Sequence, residues 1–164
     1  AEGRVFFEYD SGRAFRYAND NAKTERAHEG AAFTAGDLGR LDSDGFLYLS
    51  GRSSDVIVTG GVNVYPAEIE AALSGVPGVA DLAVVAGPDD MRGEQPVAFV
   101  AVESDADHAA VIADVLDTAR ESLAGEKRPR DVRVVETIPR DLTGKLLRRP
   151  LEQRLWGDRP RFAG

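Results

Sequence analysis

The sequence contains no cysteine, two histidines, one methionine and one tryptophan among 164 residues. Without thiols there can be no disulfide, no thiolate metal site and no cysteine nucleophile, and so few histidines leave little for zinc chemistry. No apolar run approaches the roughly 18 residues that a membrane-spanning helix needs. The opening Ala1-Glu2-Gly3-Arg4 has neither the apolar core of a signal peptide nor an Arg-rich transit pattern. With no methionine at position 1, the chain reads as a segment cut from something longer, and as a cytoplasmic one.

What is present is ordinary for a globular protein: 43% hydrophobic and 29% charged residues. The length fits about one domain of roughly 100 to 200 residues. The net charge of -8 conceals a split, however, since residues 1–125 carry 9 basic and 22 acidic side chains and residues 126–164 carry 11 and 6. An acidic body with a basic end either meets an anionic partner or pairs its charges internally. The overall negative charge argues against nonspecific nucleic-acid binding.

Residues 4–9 and 13–17 predict a hairpin around the turn Asp10-Ser11-Gly12, followed by a short helix over 21–28 capped by Asn19 or Asp20 and ending near Gly30. A second hairpin is expected from Leu38–Leu41 and Phe46–Leu49, with Gly51 to Asp55 breaking the pattern and marking a domain boundary. Beyond it come a strand at 56–58, a Gly60-Gly61 turn and a helix starting near Pro66 that Gly75 and Pro77 stop. Apolar β-branched runs at 79–86 and 97–102 flank a polar loop, 89–95, and should be adjacent core strands. Val111, Val115, Leu116, Ala119 and Leu123 recur at helical spacing, 132–135 reads as a strand, and 147–156 closes the chain as a helix packed by Trp156. The order βαββαβα defines an α+β fold: a small mixed sheet flanked by helices, preceded by β-hairpins.

Three places could carry chemistry. Asp37 enters a strand behind Gly36, where a carboxylate could accept hydrogen bonds from both hydroxyls of a ribose or could simply shape a turn. Gly60-Gly61-Val62-Asn63 follows an apolar strand, so two consecutive residues can adopt positive φ and expose the main chain to a ligand, or can form a plain tight turn. Thr143-Gly144-Lys145 invites a phosphate-loop reading that fails, because Pro139 stands where the first glycine is required and Leu146 where the magnesium-binding hydroxyl is required. Lys145 is still a compact cation behind a glycine, suited to neutralising charge on a phosphoryl oxygen or carboxylate. His28 and His108 have no acidic or nucleophilic partner at a telling spacing, and Ser53 and Ser54 lack a nucleophile-elbow context.

Taken in order, GDLGRLDSDGFLYLSGR (36–52), SSDVIVTGGVNVYPAEIE (53–70) and IPRDLTGKLLRR (138–149) resemble the acyl-CoA synthetase branch of the adenylate-forming enzymes. Glu126-Lys127-Arg128-Pro129-Arg130 looks like the approach to the last of these motifs, and residues 1–35 resemble the stretch before the first. The resemblance covers nearly the whole chain but only the final portion of such an enzyme. It implies that residues 1–51 are the β-rich end of a large AMP-binding domain and residues 52–164 a mobile C-terminal lid, with a hinge at about 51–55.

The implied reaction has two steps. A carboxylate, here expected to be a fatty acid, attacks the α-phosphate of MgATP to give an acyl-adenylate, and coenzyme A then displaces AMP. Residue by residue, the resemblance gives Asp37 the ribose hydroxyls, Arg52 the ribose and phosphate, and Lys145 the catalytic role of bridging carboxylate and α-phosphate. Gly60, Gly61 and Asn63 match the loop that enters the site for thioester formation. Ser54 stands at the hinge, where the family usually has Asp or Lys. The implied partners are the missing large domain, a small carboxylate, ATP and CoA. No nucleic acid, no bound metal of the chain's own and no transmembrane segment are expected. The isolated chain is expected to be inactive, because Lys145 and Asp37 supply only part of an ATP site. Two alternatives are a peptide-synthetase-type adenylation unit that loads a carrier protein and a stand-alone anion-binding module.

Overall fold

Short strands and tight turns fill the first third of the chain, where apolar residues come in small groups separated by Gly, Asp and Asn. The computed structural model describes residues 2–8, 15–159 and 161. Strands β1 (Gly3–Arg4) and β2 (Phe7–Glu8) occupy the first expected strand but join different sheets. The hairpin expected there does not form as drawn: β2 pairs with β4 (Ala32–Phe33) and β1 with β5 (Asp37–Leu41), while residues 15–17 are irregular. The Tyr17 N–H donates to Thr24 Oγ1 at 3.0 Å, which fastens that segment to a helix instead of a strand. The expected turn at 10–12 lies outside the described residues.

Helix α1 (Asn21–Ala27) starts where the Asp20 side chain accepts from the Lys23 N–H at 2.8 Å. It stops before Gly30 because β3 (His28–Glu29) pairs with β4. β5 and β6 (Leu47–Arg52) form the second hairpin, and β6 runs on past Leu49, setting Arg52 opposite Asp37. Glycine is required at position 39 because an added Cβ would stand 2.5 Å from the Tyr48 carbonyl oxygen. The chain divides into two compact units, residues 1–54 and 55–164.

The second unit has the order ββαββαβα: β7 (Ile57–Thr59), β8 (Val62–Val64), α2 (Pro66–Leu73), β9 (Val79–Asp89), β10 (Gly93–Val102), α3 (His108–Ser122), β11 (Asp131–Val135) and α4 (Arg148–Trp156). Strand β8 was not expected, since Val62-Asn63-Val64 is too short to signal itself beside two glycines. The loop expected at 89–95 shrinks to a turn, because β9 continues to Asp89 and β10 resumes at Gly93. The sheet is mixed, with β11 parallel to β10 and the other pairs antiparallel.

Alternation along β9 and β10 explains the near-continuous apolar runs, because both faces of the ladder are covered. Leu82, Val84, Ala86, Ala98 and Val100 pack with Ile69 and Leu73 of α2 and with Val111, Val115 and Ala119 of α3. Ala83, Val85, Val97, Phe99 and Ala101 pack on the other face with Leu151 of α4 and with Ile138. Trp156 closes that side, donating its indole N–H to the Ala86 carbonyl at 2.8 Å. The architecture is α+β, as the sequence implied, and no helix of the described residues is long and apolar enough to cross a membrane.

Candidate functional site

In the first unit, Thr34 and Gly36 build the turn that presents Asp37. Thr34 is buried and its hydroxyl accepts from the Gly36 N–H at 3.0 Å. Gly36, at φ +87°, accepts at its carbonyl from the Ser53 N–H at 2.8 Å. This places Asp37 at the start of β5, opposite Arg52, whose Nε donates to Asp37 Oδ1 at 3.4 Å. The contact is long, and both side chains reach solvent, 47% exposed for Arg52 and 28% for Asp37. Carboxylate and guanidinium thus stand side by side, each with capacity left for a ligand. Beside them opens a cleft of about 610 Å³ lined by Arg4, Lys23, Arg26 and Arg52 with Tyr17 and Thr34. Four cations and no carboxylate among the lining residues favour an anionic occupant. Lys23 and Arg26 sit one turn apart on α1, a convergence with Arg52 that sequence spacing does not reveal.

In the second unit, Gly60 and Gly61 connect β7 to β8 with φ of +57° and +84°, the doubly left-handed turn that a two-residue hairpin needs. The backbone there is bare, since a Cβ on Gly61 would meet nothing within 4 Å. Asn63 is exposed opposite Val58, and the Gly60 N–H donates to the Arg92 carbonyl at 3.1 Å. The turn therefore sits at the Asp89–Gly93 end of the β9–β10 ladder.

Lys145 projects from a tight hairpin closed by a bridge between Arg140 and Leu146. The Asp141 carboxylate organises the turn, with Oδ1 accepting from the Thr143 N–H at 2.8 Å, the Thr143 hydroxyl at 2.7 Å and the Lys145 N–H at 3.0 Å. The Thr143 hydroxyl, before the two backbone donors, holds this carboxyl below its usual range. Gly144, at φ +84°, fits the turn. Lys145 itself is exposed and makes no ion pair among the described residues. Arg140 clamps the hairpin to β9, donating from Nε and Nη2 to the two oxygens of Asp81 at 3.0 and 2.8 Å. Asp81 marks the opposite end of the ladder from Asp89, roughly 26 Å away at about 3.3 Å per residue.

The sequence reading missed Arg140, Asp141 and Asp81. The first two lie inside the quoted motif, but the third is 59 residues from Arg140, and only the fold joins them. Ser54 lies in a turn that ends the first unit. Asp37 and Arg52 come together, as do Gly60, Gly61 and Asn63, while Lys145 stands with the Asp81–Arg140 pair. Among the described residues no group of three or more His, Asp or Glu could hold a metal ion.

Part of the basic end is paired within the chain. Arg148 donates to both oxygens of Glu70 at 2.5 and 3.0 Å, to the Val84 carbonyl at 2.7 Å and to Asp55 at 3.3 Å. Burial disfavours its charge, yet Glu70 and Asp55 outweigh burial and keep its pKa raised. Arg161 reaches Glu94 at 2.9 Å, Glu152 at 2.7 Å and the Val56 carbonyl at 2.6 Å. Burial and the neighbouring Asp55 and Glu94 push the Glu152 carboxyl up despite the counteracting Arg161. Lys127 pairs with Glu68 and Arg133 with Asp131. Lys127, Arg140, Arg148 and Arg161 thus reach acidic residues of the body, which accounts for part of the charge split and weakens the case for a free anion-binding tail.

Residues 68–145 match the model of the family described as the AMP-binding enzyme C-terminal domain, a match that ends at Lys145. The chain is 38% identical over 138 residues to a 2-succinylbenzoate–CoA ligase of Listeria monocytogenes, which covers 84% of this chain and 29% of that protein. It is 39% identical over 137 residues to the long-chain-fatty-acid–CoA ligase FadD13 of Mycobacterium tuberculosis, covering 84% of this chain and 27% of the relative. Among solved structures, the anthranilate CoA ligase AuaEII in complex with anthranoyl-AMP superposes with a TM-score of 0.82 at 31% identity, over 94% of this chain and 30% of that one. The o-succinylbenzoate CoA synthetase MenE of Bacillus subtilis in complex with ATP and magnesium ion gives 0.74 at 30% identity, over 94% and 30%.

The fold and these matches define the class: the chain belongs to the adenylate-forming enzymes and carries their C-terminal domain. Within that class its relatives are acid–CoA ligases, and it spans 29% and 27% of the length of the two curated relatives named.

Proposed function

We propose that this chain works as the C-terminal part of a cytoplasmic, ATP-dependent acid–CoA ligase that converts a carboxylic acid to an acyl-adenylate and then to its CoA thioester. The observation that carries this reading is Lys145: an exposed ammonium with no ion pair among the described residues, on a braced hairpin, at the last residue of the family match. A lysine there supplies a mobile point charge for the α-phosphate and the attacking carboxylate while charge builds between them. Asp37 accepts from the ribose hydroxyls, and Arg52 contacts ribose and phosphate. Magnesium arrives with ATP as part of the substrate.

For the second step, Gly60, Gly61 and Asn63 would line the path of the CoA arm, where bare backbone lets a ligand approach closely. The two elements lie at opposite ends of one ladder, which suits a lid that presents each in turn. Residues 1–51 would close the large domain, and the lid from 52 onward would turn on the hinge near Ser54. The substrate is a fatty or aryl carboxylic acid, since the relatives named act on both kinds.

In the enzyme that carries this lid, Lys145→Ala should lower pyrophosphate release from MgATP and acid by about 10²- to 10³-fold, the cost of removing one preorganised charge donor. Thioester formation from a supplied acyl-adenylate and CoA should change far less. Equal losses in the two steps would refute the role given to Lys145.

A further inference from the structure

The peptide unit that precedes Lys145 is held at both of its polar atoms. Its N–H, that of Lys145, donates to Asp141 Oδ1 at 3.0 Å, and its carbonyl, that of Gly144, accepts from Arg140 Nη1 at 3.0 Å. A peptide unit is planar, so holding both atoms fixes its plane, and the Lys145 carbonyl, which accepts from the Asp141 N–H at 2.9 Å, restrains the rotation that sets the direction in which the side chain leaves the backbone. Arg140 can hold the carbonyl because its remaining nitrogens are engaged in a fork with Asp81. Asp81 in turn is set opposite Ala101 in the β9–β10 ladder, and Ala101 is buried in the core.

The pair is poorly explained as a device for stability alone. Arg140 is 41% exposed and Asp81 34%, and ion pairs this open to water contribute little to folding. What the pair does uniquely is connect the sheet to one peptide of an otherwise exposed turn. A lysine at position 140 could not reproduce this, because a single ammonium lacks the planar fork that meets a carboxylate with two nitrogens and still donates elsewhere.

We propose that Asp81 and Arg140 are positioning residues: their fork clamps the Gly144–Lys145 peptide and so aims the Lys145 ammonium for adenylate formation. This rests on the reading of Lys145 as the adenylation lysine.

The test uses the enzyme that carries this lid, with pyrophosphate release reporting adenylation and a supplied acyl-adenylate plus CoA reporting the thioester step. Asp81→Asn and Arg140→Gln should each lower the kcat of adenylation about 10- to 100-fold, as misplacement of a reacting group by about 1 Å does, while KM for ATP and the thioester step stay within about twofold. The double variant should be no worse than Arg140→Gln alone, since the two act as one unit. Asp81→Glu, which keeps the carboxylate, should recover part of the loss.

If Lys145→Ala depresses adenylation but Asp81→Asn and Arg140→Gln do not, the clamp is refuted and the lysine's role stands. If Lys145→Ala leaves adenylation intact, the lysine reading falls and the clamp with it. If both half-reactions fall together in Asp81→Asn and Arg140→Gln and Asp81→Glu recovers nothing, the pair is structural only and the proposal is overturned.

Discussion

Replacing Arg148 with methionine keeps most of the side chain's bulk and removes its guanidinium, which is the center of a largely buried charge cluster in the second unit. Arg148 and Glu70 are only 16% and 19% exposed, so neither charge has much water to fall back on. In Arg148→Met the Glu70 carboxylate keeps one donor, the Val84 N–H at 2.8 Å, and loses two guanidinium contacts, while the Val84 carbonyl loses a donor at 2.7 Å. Leaving a buried charge without its partner costs about 3–5 kcal/mol.

Urea denaturation of the chain, followed by far-UV circular dichroism, should register this as a fall in midpoint of at least about 1 M, for a slope of about 1–3 kcal/mol per M. Glu70→Gln alone leaves the arginine only the longer contact to Asp55 at 3.3 Å as a charged partner. The double variant Arg148→Met/Glu70→Gln removes both charges of the bidentate pair and leaves only the more exposed Asp55 without its arginine, so its loss should be about 1–3 kcal/mol smaller than the sum of the single losses. A loss below about 1 kcal/mol for Arg148→Met, or strict additivity in the double variant, would show that the cluster is solvated and refute the reasoning.

Two further outcomes follow from single contacts. Arg140, chiefly through its hydrogen bonds, holds the Asp81 carboxyl below its ordinary range, and a group whose folded pKa is depressed adds stability above its unfolded pKa of 3.8 that disappears as pH falls through the folded value. Asp81→Asn should therefore lower the melting temperature modestly at neutral pH, where that contribution is present, and converge with the parent below about pH 4, so that its acid limb is flatter, which acid titration of the melting temperature would check. Gly39→Ala would drive a Cβ to within 2.5 Å of the Tyr48 carbonyl, which should cost the first unit about 1–3 kcal/mol and open the β5–β6 hairpin; unchanged amide exchange at Leu38 and Leu49 would count against this.

The legible parts of the fold are those where local pattern and tertiary packing agree. The runs 79–86 and 97–102 announced paired core strands because both faces of their ladder are buried, and α3 announced itself through Val111, Val115 and Ala119 on one face. Asp20, Pro66 and the double glycine at 60–61 each set a local conformation that nothing distant overrides. The first hairpin was misread because β1 and β2 are two residues long, and such short strands are assigned by distant partners, β5 and β4, rather than by their own alternation. The extensions of β6, β9 and β10 into polar residues were hidden for the same reason. At the candidate site, motif order pointed to Asp37, Arg52 and Lys145, but the support for Lys145 comes from an acid 59 residues before Arg140, and sequence has no local mark for that pairing.

The separation along β9 bears on why such a chain would need to move. The Lys145 hairpin is tied to Asp81, and the Gly60–Gly61 turn is tied through Arg92 to the turn after Asp89. Strand β9, between these anchors, pairs along its length with β10, which is itself paired with β11 on its other side, and helices cover both faces of the ladder, so it does not fold back to bring the two ends together. If both elements serve one reacting carboxylate, as proposed, they cannot do so in one arrangement, because roughly 26 Å of rigid ladder lies between them. The unit must then turn as a body, and the first residues able to absorb that rotation without breaking the sheet are those of the turn at Ser53–Asp55, between β6 and β7. Asp55 is tied to Arg148 of the second unit, so on this proposal the rotation falls on the N-terminal side of Asp55.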